Sequence, residues 1–314
     1  MESHASSNSS SGDLEQLKTL EAKINAILPP RYVGCFEDVS PTSMGSAKLK
    51  RDAQGRVVWG EIWTTFCHLA LAGGPPHRGS WLEPVARADA EAHPAEQHTI
   101  VAEIERAIRL ATELKTVASP IPGWVGVRCY DEDMAAWLLR AIVAENVAAR
   151  RDRNVLYVPA GPNFQIEKEV KNVIVSLAKS CHYLLDHTEP AERPSGLARS
   201  LVEPVTADEI AASPDRYNAS VADTEQRIRE HTGLEMVRGN ASGWIGVRCA
   251  SEEMAVWILR AVIVEDVLAR RECDIVYVPV SMVDAPQRGR AKVVAAVSQA
   301  YRLWQLQAAG QSKR

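Results

Sequence analysis

The chain has 314 residues, 46% of them hydrophobic and 24% charged, with a formal net charge of −4 and a sequence pI near 6.1. That composition supports a sizeable apolar core in about two domains, and its acidic balance argues against nucleic acid or an anionic membrane as partner. No apolar run approaches the roughly 18–20 residues of a membrane span, and six cysteines in so long a chain are no disulfide framework, which points to a reducing cytoplasm.

Residues 1–15 are polar and serine-rich, lack the basic and apolar regions of a signal peptide, and read as a disordered leader. An N-terminal segment, 16–81, follows. It holds a short strand candidate (RVVW, 56–59) and a helix candidate (EIWTTFCHLALA, 61–72). The loop after that helix, Gly73-Gly74-Pro75-Pro76-His77-Arg78-Gly79, combines a rigid backbone with one histidine and one arginine.

From residue 82 onward the chain repeats itself with a shift of 120. GWVGVRC (123–129) returns as GWIGVRC (243–249), and the 37 residues 123–159 align without a gap to 243–279 with 21 identities. LEPV (82–85) matches VEPV (202–205), and Pro94 matches Pro214. The division is therefore a first unit at 82–187, a linker at 188–201, a second unit at 202–308 and a tail at 309–314, the product of a tandem duplication. Within each unit an amphipathic helix (101–114 and its partner) precedes a strand (124–129; 244–249), a long helix (132–151; 252–271), a second strand (154–158; 274–278) and a closing helix (166–186; 288–306). Strand, helix and strand joined by tight connections predict a right-handed βαβ crossover. The expected fold is α/β: two helix-β-α-β-α units, mostly parallel sheets with packed helices, and a pseudo-twofold axis.

Three places could carry chemistry. At the first strand-to-helix turn, Arg128-Cys129 and Arg248-Cys249 precede the helix N-caps Asp131 and Ser251, where an anion would be favoured. An arginine there could hold a carboxylate or phosphate in bidentate fashion, and a thiol beside it could be activated; the plainer reading is a buried strand cysteine and a structurally paired arginine. On the long helix, Met134, Leu138, Ala141, Glu145 and Ala148 share one face, so Glu145 lies in an apolar stripe, as does Glu265 in the second unit. Such a carboxylate is either a proton carrier of raised pKa or a structural acceptor with a partner. The third place is His77-Arg78, which the second unit does not keep. No zinc-ligand spacing, phosphate loop or nucleophile elbow is present, so no metal site is assigned and no cofactor identified.

The resulting expectation is a cytoplasmic protein that binds a small anionic metabolite in the first unit, near the boundary between units. Arg78, Arg128 and Arg248 would act as ligand-binding residues, and His77, Glu145 and Cys129 as catalytic candidates if the ligand is also transformed. The competing expectation is a non-catalytic interaction or assembly module, with a homo-oligomer compatible with either.

Overall fold

In this computed structural model the described residues are 11–27, 48–62, 70–72, 78–186, 188, 191, 193–239 and 241–311. Helix α1 (Ser11–Ile27) starts inside the stretch expected to be a disordered leader; it buries Leu20 and Ile24, and Asp13 pairs with Arg302 near the C-terminus. The 56–59 strand candidate forms only a bridge, Arg51 with Val57, before a single 3-10 turn at Trp59–Glu61. Of the 61–72 helix candidate, the described portion is a 3-10 turn at Ala70–Ala72, and residues 63–69 lie outside the described residues.

The first unit runs α2 (Arg87–Ala92), α3 (Pro94–Thr112), β1 (Lys115–Val117), β2 (Trp124–Arg128), α4 (Glu132–Ala144), β3 (Arg150–Asp152), β4 (Val155–Pro159) and α5 (Lys171–Asp186), the last preceded by a π-helical turn at Ile166–Val170. A short α6 (Leu197–Ser200) lies in the connection. The second unit runs α7 (Ala207–Ala212), α8 (Pro214–Thr232), β5 (Glu235–Val237), β6 (Trp244–Arg248), α9 (Glu252–Val264), β7 (Arg270–Glu272) and β8 (Ile275–Pro279). A small hairpin, β9 (Asp284–Ala285) with β10 (Arg288–Gly289), then leads into α10 (Arg290–Gln311).

Local chemistry sets these bounds. Pro94 and Pro214 open α3 and α8, where a missing N–H costs nothing. Asp131 and Ser251 accept from the amides of Met134 and Met254, capping α4 and α9 with the extended backbone expected of an N-cap. Thr206 and Glu209 form a reciprocal capping box on α7. From Met134 to Ala144 every residue of α4 is buried, so the helix is wrapped on all sides rather than laid on a surface.

The sheets are not parallel. Each unit holds four strands in the order β1-β2-β4-β3 (β5-β6-β8-β7 in the second), with every neighbouring pair antiparallel. The expected mostly parallel sheet fails for one identifiable reason. The helix of the supposed crossover ends at Ala144, not at 151, and Arg150–Asp152 forms a strand of its own. A two-residue turn at Arg153-Asn154 reverses the chain, and β4 slots in between β2 and β3. Strands β2 and β3 therefore point the same way, as a crossover requires, but are never neighbours. Two isolated parallel bridges, Leu82 with Val147 and Val202 with Val267, join the LEPV and VEPV segments to the chain leaving α4 and α9.

Contacts between the units are polar as well as apolar. Asp133 accepts from the amides of Gly196 and Ala198 in the connection between the units, and Arg140 reaches from α4 to the carbonyl of Ile263 at the end of α9. Asn146, fully buried, donates to the carbonyls of Arg78 (2.9 Å) and Arg271 (2.8 Å). Among the described residues no helix is long and apolar enough to cross a membrane.

Candidate functional site

The residues singled out in the sequence do not converge. Cys129 and Glu145 stand at opposite ends of α4, roughly 20 Å apart at ~1.5 Å per residue. Arg128 is exposed at the end of β2 and donates a long hydrogen bond (3.5 Å) to Asn154. Arg248 is held on the surface between Asp274 (3.2 Å) and Glu235 (3.0 Å). The thiols of Cys129 and Cys249 are buried, and that burial pushes each up to about 12, so both are protonated at neutral pH and are poor nucleophiles. Glu145, wholly inaccessible to solvent, pairs with the buried Lys179 and accepts from the amide of Ala70 (2.9 Å). Arg78 folds back on the carbonyl of Ser80 (3.2 Å), and His77 lies outside the described residues.

What the structure builds instead is a cavity of about 440 Å³ where the two units meet, at the Trp124 end of β2 and its Trp244 counterpart on β6. Arg128 is four residues further along β2, some 13 Å away at ~3.3 Å per step. The cavity volume lies within the range of small-molecule sites, and the lining is mostly apolar with a few charged groups. Equivalent positions of the two units line it, Glu83 with Glu203 and Trp124 with Trp244, together with Arg150 and Arg151 of β3, whose counterparts Arg270 and Arg271 are not in the lining.

Strand register explains why an arginine meets aromatic rings here. Arg150 pairs with Tyr157, Trp124 with Pro159 and Gly126 with Tyr157, so Trp124, Gly126, Tyr157 and Arg150 share the outer face of the first sheet. The Arg150 guanidinium lies 5.9 Å from the Trp124 ring and 5.6 Å from that of Tyr157. Arg270 repeats the arrangement over Trp244 (5.7 Å) and Tyr277 (4.0 Å), with Trp81 closing the stack at 4.5 Å. Such stacking favours a cation while leaving the guanidinium edge available for hydrogen bonds.

The two halves then differ. Arg270 is buried, pairs with Glu272 and donates to Asn146 (3.3 Å); burial lowers its pKa from the ordinary arginine value, an effect Glu272 opposes. Arg150 forms no ion pair and donates no hydrogen bond among the described residues. Of the positions matching Arg270's partners, that of Asn146 is Asp266, which faces Arg140 (3.8 Å) and Lys292 (3.9 Å), and that of Glu272 is Asp152, which makes no ion pair with Arg150. The carboxylates differ in the opposite sense. Glu203 is held by Arg151 at 2.7 Å, whereas Glu83 has no ion pair among the described residues. Arg271, which matches Arg151, donates to the carbonyl of Cys273 (2.8 Å) and lies 3.8 Å from Glu252.

None of Trp124, Arg150, Tyr157 or Glu83 was singled out as a site from the sequence. A signal for all four exists: Glu83, Trp124, the Arg150-Arg151 pair and Tyr157 all recur identically 120 residues later. Reading the arginines as the end of a helix hid them. Among the described residues no group of three or more His, Cys, Asp or Glu side chains is arranged to hold a metal ion. No family model, curated protein or solved structure matches the chain.

Proposed function

We propose that the protein binds a small anionic molecule in the cavity between its two units, and that those units are copies of one duplicated ancestor. The carrying observation is Arg150, a guanidinium oriented by Trp124 and Tyr157, lining a 440 Å³ cavity and lacking any carboxylate partner among the described residues. A cation kept half-buried without a counter-ion is costly unless a ligand supplies one, and a planar fork suits a carboxylate or phosphate. This keeps the anionic ligand and the inter-unit location expected from the sequence but moves the site from Arg128 and Arg78 to Arg150. The proposal stops at binding, since the thiol and carboxylate first considered for catalysis are protonated and ion-paired respectively, and both lie away from the cavity. The free thiols Cys129, Cys181, Cys249 and Cys273 support a reducing, cytoplasmic setting.

Calorimetric titration with 3-phenylpropionate, a carboxylate on an apolar body, tests the reading. Arg150→Gln should weaken binding by about tenfold or more, Arg150→Lys by somewhat less because lysine cannot form the bidentate contact, and Arg128→Gln not at all. Equal affinity in wild type and Arg150→Gln would remove the site.

A further inference from the structure

Building on the anion site at Arg150, we infer that the ligand is a zwitterion: an α-amino acid with an apolar side chain, its carboxylate on Arg150 and its ammonium on Glu83. The argument rests on which charges the cavity leaves over. Two units of one pattern would give two arginine-aromatic stacks and two glutamates, each satisfied in the same way. Two of these groups are satisfied within the protein: Arg270, stacked on the lining residues Trp81 and Trp244, is neutralised by Glu272, and Glu203 in the lining is neutralised by Arg151. The matching residues are kept, Asp152 for Glu272 and Arg271 for Arg151, but they make no ion pair with Arg150 or Glu83, so one cation, Arg150, and one anion, Glu83, line the same cavity without an ion pair among the described residues. The surplus is one charge of each sign.

The placement of Glu83 reinforces this. It lies close enough to Arg270 to favour that arginine's charged form, but Arg270 is already in contact with Glu272, so two carboxylates share one guanidinium and the local balance is negative. An ammonium group answers that balance, and the ring faces of Trp81 and Trp244 nearby favour a cation further. Glu83 and Arg150 are also close along the backbone. The amide of Leu82 donates to the carbonyl of Asn146, and that of Ala148 donates to the carbonyl of Leu82, so the segment carrying Glu83 runs beside the chain that leads into Arg150. The two charged groups therefore come from segments joined by one parallel bridge, Glu83 one residue beyond Leu82 and Arg150 three beyond Val147.

The rest of the lining sets the side chain. Ile121, Pro122, Leu139 and Leu268 give the cavity an apolar wall, and its volume equals roughly fifteen liquid waters at ~30 Å³ each, enough for a single amino acid or dipeptide. Two further charged residues in the lining, Arg87 and Asp208, are exposed at the rim, as is Glu83; Glu83 differs from them in lying close enough to Arg270 to act on its charge and in following the Leu82–Val147 bridge.

The test titrates the full chain with L-phenylalanine and with two analogues each lacking one charge, 3-phenylpropionate and 2-phenylethylamine. L-phenylalanine should bind at least about tenfold more tightly than either analogue. Glu83→Gln should weaken L-phenylalanine about tenfold and leave 3-phenylpropionate unchanged, while Arg150→Gln should weaken both carboxylates and leave 2-phenylethylamine unchanged. If 3-phenylpropionate binds as well as L-phenylalanine and depends on Arg150, the zwitterion inference is overturned while the anion site stands. If none of the three binds at about 1 mM, both fall. Circular dichroism of each variant separates a lost contact from a lost fold: should Glu83→Gln fail to fold, Glu83→Asp takes its place, and its retained charge at a shortened reach should weaken L-phenylalanine alone.

Discussion

Glu203 is the carboxylate of the cavity that the protein itself satisfies, and its titration reports what that arrangement costs. Burial raises its pKa above the ordinary value of 4.5, and the Arg151 ion pair, with its hydrogen bond, only partly opposes the rise. A carboxyl whose folded pKa is raised binds its proton more tightly folded than unfolded. Its stabilising contribution is present below the unfolded pKa and is lost as pH rises through the folded one. Over a window opening at about 4.5 and running upward, wild-type stability should therefore decline relative to that of Glu203→Gln. Denaturant midpoints of both proteins across pH 4–7 check this. The slope of their difference carries the prediction, since the offset also contains the loss of the Arg151 pair, and a flat or rising difference would contradict it. Glu145 shows the other fate of a carboxylate in an apolar stripe. Its place on the face of α4 was legible from spacing alone, but its partners were not: Lys179 sits 34 positions further along the chain and Ala70 75 positions before it, and no local pattern links them.

At the scale of elements, the sheet depends on a glycine at its centre. Gly126 of β2 faces Tyr157, and a Cβ there would meet the Val117 side chain at 2.6 Å and the Val117 carbonyl oxygen at 2.8 Å. The second of these is backbone, so relief means shifting β1 against β2. Gly126→Ala should cost about 1–3 kcal/mol and, by displacing the Tyr157 ring, loosen the seat of Arg150. Gly79→Ala, where nothing lies within 4 Å, is the matched control and should stay within about 0.5 kcal/mol of wild type. Urea unfolding measures both, and equal stabilities would refute the packing argument. The same scale shows where sequence reasoning stopped. The start of α4 was readable because apolar spacing and the Asp131 cap agree, although the helix ends at Ala144 and not at 151. Strand β3 was not: three charged residues, Arg150, Arg151 and Asp152, carry no alternation and follow a helix directly. Missing those three residues turned an antiparallel sheet into an expected parallel one, and removed from view the arginine that best explains the cavity.

At the scale of the whole molecule the question is what makes two units one protein with one site. The repeat told where the units begin and which positions correspond, but not the pairing at the seam, where identical residues such as Arg151 and Arg271 take different partners and a few positions differ outright. Asn146 is the clearest. It takes a left-handed backbone (φ 59°) just past the end of α4, bridges the carbonyls of Arg78 and Arg271, and accepts from Arg270. Its counterpart Asp266, equally left-handed (φ 54°), has no amide to donate and faces cations instead. A symmetric residue could not do both jobs, so comparing the halves alone would mark position 146 as a place of lost similarity rather than as a pin. Removing the side chain leaves one buried and one part-buried carbonyl without their donor and frees Arg270 from one of its contacts. Asn146→Ala should therefore cost about 2–4 kcal/mol, and Asn146→Gly about 1 kcal/mol less, because glycine enters the left-handed region freely. Since Arg270 backs the lining residues Trp81 and Trp244, both variants should also bind the carboxylate probe more weakly while the Arg150 stack stays intact. Wild type should unfold in one transition by both far-ultraviolet circular dichroism and tryptophan fluorescence, and the Asn146 variants should separate the two probes as the seam opens before the sheets melt. Coincident transitions in Asn146→Ala at unchanged stability would show that the seam is held elsewhere, with the Arg151–Glu203 pair and the Asp133 contacts to Gly196 and Ala198 as the remaining links to break.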